Sequence, residues 1–375
     1  MRLFLLPLAL TAAPAALAQN PGQGTAPTVA ASSVFTITPV ATFDQPWAMT
    51  FLPDGRALVS EKSGRLRVVA TNGSVSAPLP GVPAVQFGGQ NGLLDVIAHW
   101  NAAKGNRSIY MSFSEPGPNG TSGLAVGFGR FVNNAIVDFR VIWRDPVKIN
   151  QGGGHMSARL AFGPDNMLYV TSGDRQQAVP AQALASAKGK VLRMNTAGWA
   201  LPTNPFQGPL PKRHIWSLGH RNLLGMAFDS AGRLWTHENG PQGGDELNLV
   251  VRGANYGWPT VSNGRNYGAS TDDIPNHDTR PDMVAPKVWW DPSIAPSGLV
   301  IYSGSLFPAF SGHAFLGALG GNALIRVTLN GADATETVRY AMGARIRDVE
   351  QGPDGAIWVL EDGGSGRLLK LTPKP

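Results

Sequence analysis

Cysteine is absent from all 375 residues. That excludes a disulfide framework, a lipoprotein anchor and any thiolate metal site. Charged residues make up only 15% of the chain, and Lys and Arg are scattered rather than run together. With no basic stripe interleaved with aromatics, a nucleic-acid partner is not expected despite a net charge of +6. A pI near 9.7 still suits a small anionic cofactor or substrate. No apolar run reaches the ~20 residues of a membrane span, so no membrane insertion is expected. The run Leu3 to Ala13 behind Arg2 is too short and leads to Ala16-Leu17-Ala18, an export signal cut after Ala18. A periplasmic or secreted protein follows, with residues 19–33 as a flexible lead-in and residues 34–375 as one domain. Three motifs are also missing: G-x-S-x-G, H-E-x-x-H and a helix-opening GxGxxG. Their absence argues against a serine hydrolase, a zinc protease and an NAD or FAD enzyme.

Glycine (46) and proline (30) are abundant, and long amphipathic helical patterns are scarce, as in an all-β chain with many turns. One phrase recurs. Phe51-Leu-Pro-Asp-Gly-Arg-Ala-Leu-Val-Ser60 returns from Phe162 to Thr171, from Phe228 to Thr236 and from Gln351 to Val359. Each copy is a tight turn followed by large apolar residues, hence a turn entering a buried strand. The spacing implies a unit of about 55–65 residues with two degenerate copies, at Ser108–Phe113 and Leu299–Ser303. Six units of several short strands predict a six-bladed β-propeller with four-stranded antiparallel blades. Radial closure would bring loops from distant units together on the axis.

Polar clusters in Gly-rich surroundings accompany these phrases. Gln151 to His155 is a glycine loop ending in a titratable imidazole, which is either a functional group or a satisfied turn residue. Asp174 and Arg175 close the strand beyond it. Gly88 to Asp95 contains Gln90, and Gly219 to Gly225 contains Arg221 and Asn222. The loop Glu238 to Glu246 offers carbonyl and carboxylate oxygens of the kind Ca²⁺ takes, without EF-hand spacing. Arg345 and Arg347, at i and i+2 on a strand, face one way. They suit either a clamp for carboxylates or phosphates, or a solvated face.

The stretches QPWAMTFLPDGRALVSEKSGRL, GQNGLLDVIAH, GGGHMSARLAFGPD, GHRNLLGMAFD, ENGPQGGDELNLVVRGANYGWP, PSIAPSGLVIY and GARIRDVEQGPDG, in that order, resemble the soluble quinoprotein glucose/sorbosone (aldose sugar) dehydrogenases. The likeness covers about Phe43 to Leu371. It implies a six-bladed propeller binding pyrroloquinoline quinone (PQQ) and Ca²⁺, which oxidises an aldose at C1 to the lactone and passes electrons to an external acceptor. It also implies roles by position. His155 would be the general base, and Arg221 would stabilise charge developing on the quinone. Gln90, Asn222, Asn239, Asp245 and Ser293 would surround the cofactor, and Arg345 and Arg347 would bind its carboxylates. The carbonyls of Gly240 and Pro241 would ligate Ca²⁺.

The chain departs from that pattern in three places. The family lysine that pairs with a PQQ carboxylate aligns near Gly320, where no lysine stands, leaving Asn322 or Arg326 as substitutes. Ser293 replaces a threonine. The long insertions of glucose-oxidising members are absent, which fits the compact aldose branch and a monomer. Two rival readings are a Ca²⁺-dependent lactonase with side-chain carboxylate ligands, and a propeller that binds sugar or protein without catalysis.

Overall fold

The computed structural model describes residues 22–101, 106–150, 153–271 and 273–375, so the expected export signal lies outside the described residues. Among the described residues no helix is long and apolar enough to cross a membrane. The repeated phrase forms one turn four times. In blade 1 the Leu52 carbonyl accepts from Gly55 N, and Asp54 accepts from the Arg56 amide. The residue that leaves the turn has a positive φ: Gly55 (+86°), Asn166 (+59°), Gly232 (+77°) and Gly355 (+80°). A type I turn closed by a left-handed residue joins two antiparallel strands, hence the Asp and the Gly or Asn.

Six sheets surround one axis. Their inner strands are Pro46–Phe51, Leu93–Asn101, Ser157–Phe162, Leu223–Phe228, Pro296–Ile301 and Ile346–Gln351, each packed against the next in a closed ring. The second strands, such as Ala57–Glu61, Leu168–Ser172 and Ala314–Ala318, are buried along their whole length. A strand covered on both faces carries continuous apolar residues rather than an alternation. Blade 6 takes its outermost strand, Phe35–Phe43, from the start of the chain, paired antiparallel to Gly366–Pro373. That pairing closes the ring.

The six-bladed architecture is as expected, with differences in detail. Blade 1 has three regular strands, because its outer segment carries Pro78 and Pro80 and only Ser76 and Leu79 donate to the neighbouring strand. Blades 4 and 5 gain a fifth, parallel strand from Gly22–Gln23 and Thr28–Ala30. The lead-in is therefore paired to the propeller from residue 22 onward. The copy expected at Leu299–Ser303 lies at the end of an inner strand. Blade 5 reaches its second strand through residues 302–313, which include a short turn of helix at Pro308–Phe310.

Neighbouring blades are joined near the axis by side chains bonded to backbone. Ser60 donates to Leu94 O, Ser112 to Ala158 O, Thr171 to Leu223 O and Ser297 to Arg347 O. Between blades 4 and 5, His237 Nε2 lies 2.8 Å from Gly298 O. A carbonyl only accepts, so Nε2 carries the proton, and burial pushes this imidazole down to about 3, which keeps it neutral. Met49 N donates to Asp348, joining blade 1 to blade 6.

Arg159 sits among these bonds. It pairs with Asp348 at 2.8 Å and Asp95 at 3.5 Å, donates to Leu224 O, and lies 4.2 Å from the Trp47 ring centre. Replacing Arg159 by Met should cost about 3–5 kcal/mol in urea unfolding, because two buried carboxylates lose their counter-charge. Adding Asp95→Asn to that variant should recover part of the loss, whereas simple additivity would deny the coupling. Burial pushes Asp95 up to about 6 in spite of Arg159. The folded chain then keeps a proton that the unfolded chain has lost, so this group's contribution to stability falls as pH rises from about 4 through 6. Asp95→Asn should flatten that part of the stability–pH curve.

Candidate active site

The connections entering the inner strands, and those leaving the second strands, meet over one end of the axis. They enclose a cavity of about 410 Å³ lined by polar side chains. Each inner strand carries a bulge near its start, where its register with the second strand shifts. Trp47, Leu224 and Arg347 are the extra residues of three such bulges, and all three line the cavity. A bulge re-aims the side chain it carries. Arg345 and Arg347 do face one cavity, and the bulge is what turns Arg347 into it.

His155 is held from two sides. Its backbone N donates to Gln90 Oε1 at 2.8 Å, and its Nδ1 lies 2.7 Å from Asp174 Oδ1. Asp174 also accepts from Trp258 Nε1 at 2.8 Å and Gln176 N at 2.8 Å. A carboxylate only accepts, so this contact assigns the proton to Nδ1 and leaves Nε2 as the free basic nitrogen. The backbone here is strained. His155, Ser157, Ala158, Arg175 and Gln176 all have positive φ, between 48° and 78°. Such conformations cost about 1–3 kcal/mol each and concentrate at functional sites. Gly173 is required at its position, because a Cβ there would fall 2.0 Å from His155 O.

Across the cavity, Arg221 is fixed by its backbone N, which donates to Glu238 Oε2. Glu238 is itself bonded to His220 and Asn248. The Arg221 guanidinium donates to the carbonyls of Asn239, at 3.0 Å, and of Gly240. Two carbonyls therefore already converge on a cation, and carbonyl oxygens of this kind suit Ca²⁺. Pro241 lines the cavity beside them. Asn222 donates to Asn239 Oδ1 and accepts from Ser157 Oγ.

Ten of the eleven residues expected at the site line this cavity: His155, Arg221, Gln90, Asn222, Asn239, Gly240, Pro241, Ser293, Arg345 and Arg347. Asp245 does not. It is fully buried and spends its carboxylate on the Gly240, Ile294 and Ala295 amides and the Ser293 hydroxyl. It shapes two loops whose other residues face the cavity. Neither substitute for the lysine absent near Gly320 reaches the cavity. Arg326 packs on Phe310 and Tyr340, and Asn322 is exposed outside the cavity lining.

Sequence reading missed Lys62, Asp362 and Tyr267, which line the cavity, and the bond from Trp258 to Asp174. Aligning the repeats one step further would have found two of them. Lys62, Asn239 and Asp362 each follow the last residue of a second strand. Arg345 and Arg347 both donate to Asp362. Burial would raise this carboxyl, but the arginines outweigh it and hold it low. The lining thus sets four cations (Lys62, Arg221, Arg345 and Arg347) against one carboxylate.

The model of the family described as Glucose / Sorbosone dehydrogenase matches residues 43–370. Aldose sugar dehydrogenase YliI of Escherichia coli (strain K12) is 40% identical over 342 residues, covering 88% of this chain and 91% of that protein. A crystal structure of the soluble aldose sugar dehydrogenase from Escherichia coli in the apo form superposes with a TM-score of 0.85 at 37% identity, covering 91% of this chain and 100% of that one. The PQQ-bound aldose sugar dehydrogenase of Streptomyces coelicolor superposes with a TM-score of 0.73 at 27% identity, covering 91% and 98%. With its six blades, its axial cavity and a family match across nearly all the described residues, the chain belongs to the glucose/sorbosone dehydrogenase family.

Proposed function

We propose that this protein oxidises an aldose at C1 to the lactone, with PQQ and Ca²⁺ held in the axial cavity and electrons passed on to an external acceptor. One observation carries the reading: a histidine with a free basic nitrogen faces the same cavity as an excess of three positive charges. When bound, PQQ supplies a two-electron hydride acceptor and Ca²⁺ supplies Lewis acidity toward it.

His155 Nε2 takes the proton of the anomeric hydroxyl. The C1–H bond breaks, its hydrogen leaving as hydride with both electrons, and C1=O forms. Asp174 holds the ring in the tautomer this needs and stabilises the imidazolium that results. Arg221, held at its backbone N by Glu238 and at its guanidinium by the Asn239 and Gly240 carbonyls, would stabilise negative charge developing on the acceptor. Arg345 and Arg347 bind carboxylates of the cofactor, with Asp362 keeping the two guanidinia in place. The carbonyls of Gly240 and Pro241 would hold Ca²⁺. Residues 1–18 direct export, which places the reaction in the periplasm or outside the cell.

The lactonase reading asks for side-chain metal ligands. Among the described residues no group of three or more His, Asp or Glu side chains is placed to hold an ion. A non-catalytic sugar-binding propeller would have no use for the His155–Asp174 pair.

Reconstitution tests the class. Dye reduction by the purified protein should need PQQ, Ca²⁺ and an aldose together, and a lactone hydrolysed without PQQ would replace this reading. His155→Ala should lower kcat by about 10²–10⁴-fold with PQQ affinity unchanged. Asp174→Asn should also lower kcat at unchanged PQQ affinity, because an amide can donate to Nδ1 and turn the basic nitrogen inward. Turnover near the parent's in either variant would remove the proposed base.

A further inference from the structure

We propose that Lys62 is a third carboxylate-holding cation of the cofactor site, acting with Arg345 and Arg347 on the tricarboxylate PQQ. The inference rests on the function proposed above. Lys62 follows the second strand of blade 1, and the two arginines precede and occupy the inner strand of blade 6. Those blades adjoin at the ring closure, so the three side chains form one cationic arc along the wall. In a six-membered ring, blades 3 and 4, which carry His155 and Arg221, lie across the axis from that arc.

The Lys62 ammonium is half-buried, and among the described residues its one hydrogen bond goes to Gly89 O at 2.9 Å. An ammonium has three donors, so two remain for a ligand. No carboxylate among the described residues pairs with it. Asp362 is taken by both arginines, and Asp44 by Arg65. Burial and the nearby Arg347 disfavour its charge, and together they outweigh the favourable fields of Asp362 and Asp44. Such a cation is poorly placed when the cavity is empty and well placed when a polyanion fills it. The blade 5 position where a lysine is missing is thus offset by a lysine in blade 1, on the other side of the arginine pair.

A bracing role is the competing explanation. Gly89 adjoins Gln90, whose Oε1 holds the His155 amide, so Lys62 could act by fixing that loop. The two roles separate when the ligand loses its carboxylates. Apo-protein with excess Ca²⁺ should be titrated by absorbance with PQQ and with PQQ trimethyl ester, for the parent, Lys62→Met and Lys62→Arg. A lost charge-assisted bond predicts about a ten-fold or larger rise in the PQQ Kd for Lys62→Met. Lys62→Arg should stay within a few-fold of the parent, and the ester should bind parent and Lys62→Met alike. Equal PQQ affinity in Lys62→Met would overturn the proposal, as would an equal loss for PQQ and ester, which marks a brace. A parent that binds no PQQ would overturn the proposed function itself, and this inference with it.

Discussion

The structure depends on one buried arginine at the axis. The edges of six inner strands converge there, and neighbouring inner strands do not form a common sheet. Backbone bonds between blades are few, and each pair of adjacent blades is joined by at least one side chain bonded to backbone. Arg159 reaches further, through Asp95 and Asp348 and through the carbonyls of Leu224 and Arg347, to blades 2, 4 and 6 at once. A buried charge is costly unless paired and fully bonded, and here both conditions are met. Such a centre is specific because alternative packings of the blades would leave an ion without partners.

The same residue forms the underside of the site. The guanidinium of Arg159 stacks against Trp47, and Trp47 and Leu224 line the cavity above it. Five positive-φ residues around His155 can persist only if their surroundings are rigid. The bulged inner strands, locked to one another below, provide that rigidity. Arg175 adds to it by donating to Gly154 O and Ser122 Oγ from a nearly buried position. The proposed base is therefore set before a ligand arrives, and little reorganisation is left for the reaction itself.

What was legible in the sequence follows from which features have a strong local cause. The Asp-Gly turn is visible because only a few residues tolerate its left-handed corner, and four copies were enough to count blades. The blade 5 turn was misplaced because a longer connection with its own short helix needs no such corner. Strand pairing of residues 22–30 was illegible: two- and three-residue strands added to finished blades leave no pattern. Ten site residues could be named because the stretches that carry the family resemblance contain them, and they sit on loops at strand ends. Asp245 was assigned to the cofactor because its neighbours are there, yet its carboxylate satisfies four donors inside the wall. A linear sequence does not say which way a polar residue beside a site points.

The cavity divides into two kinds of wall. Lys62, Asn239, Asp362 and the arginine pair sit at or within three residues of strand ends, so the propeller blades fix their positions. Tyr267 is different: it is 72% exposed at the cavity mouth, on the long connection between Val250 and Val288. Its hydroxyl lies 3.4 Å from Arg221 Nη2, and the Arg221 guanidinium lies 5.9 Å from its ring centre. Groups that must hold a highly charged, rigid ligand belong on the strand ends, where small displacements are resisted. Groups that meet a varied, hydroxyl-rich substrate can sit on a loop, where a change of sequence leaves the axial network intact. On the proposed function, cofactor binding and sugar preference therefore rest on separate parts of the fold, and the second can alter without loosening the first.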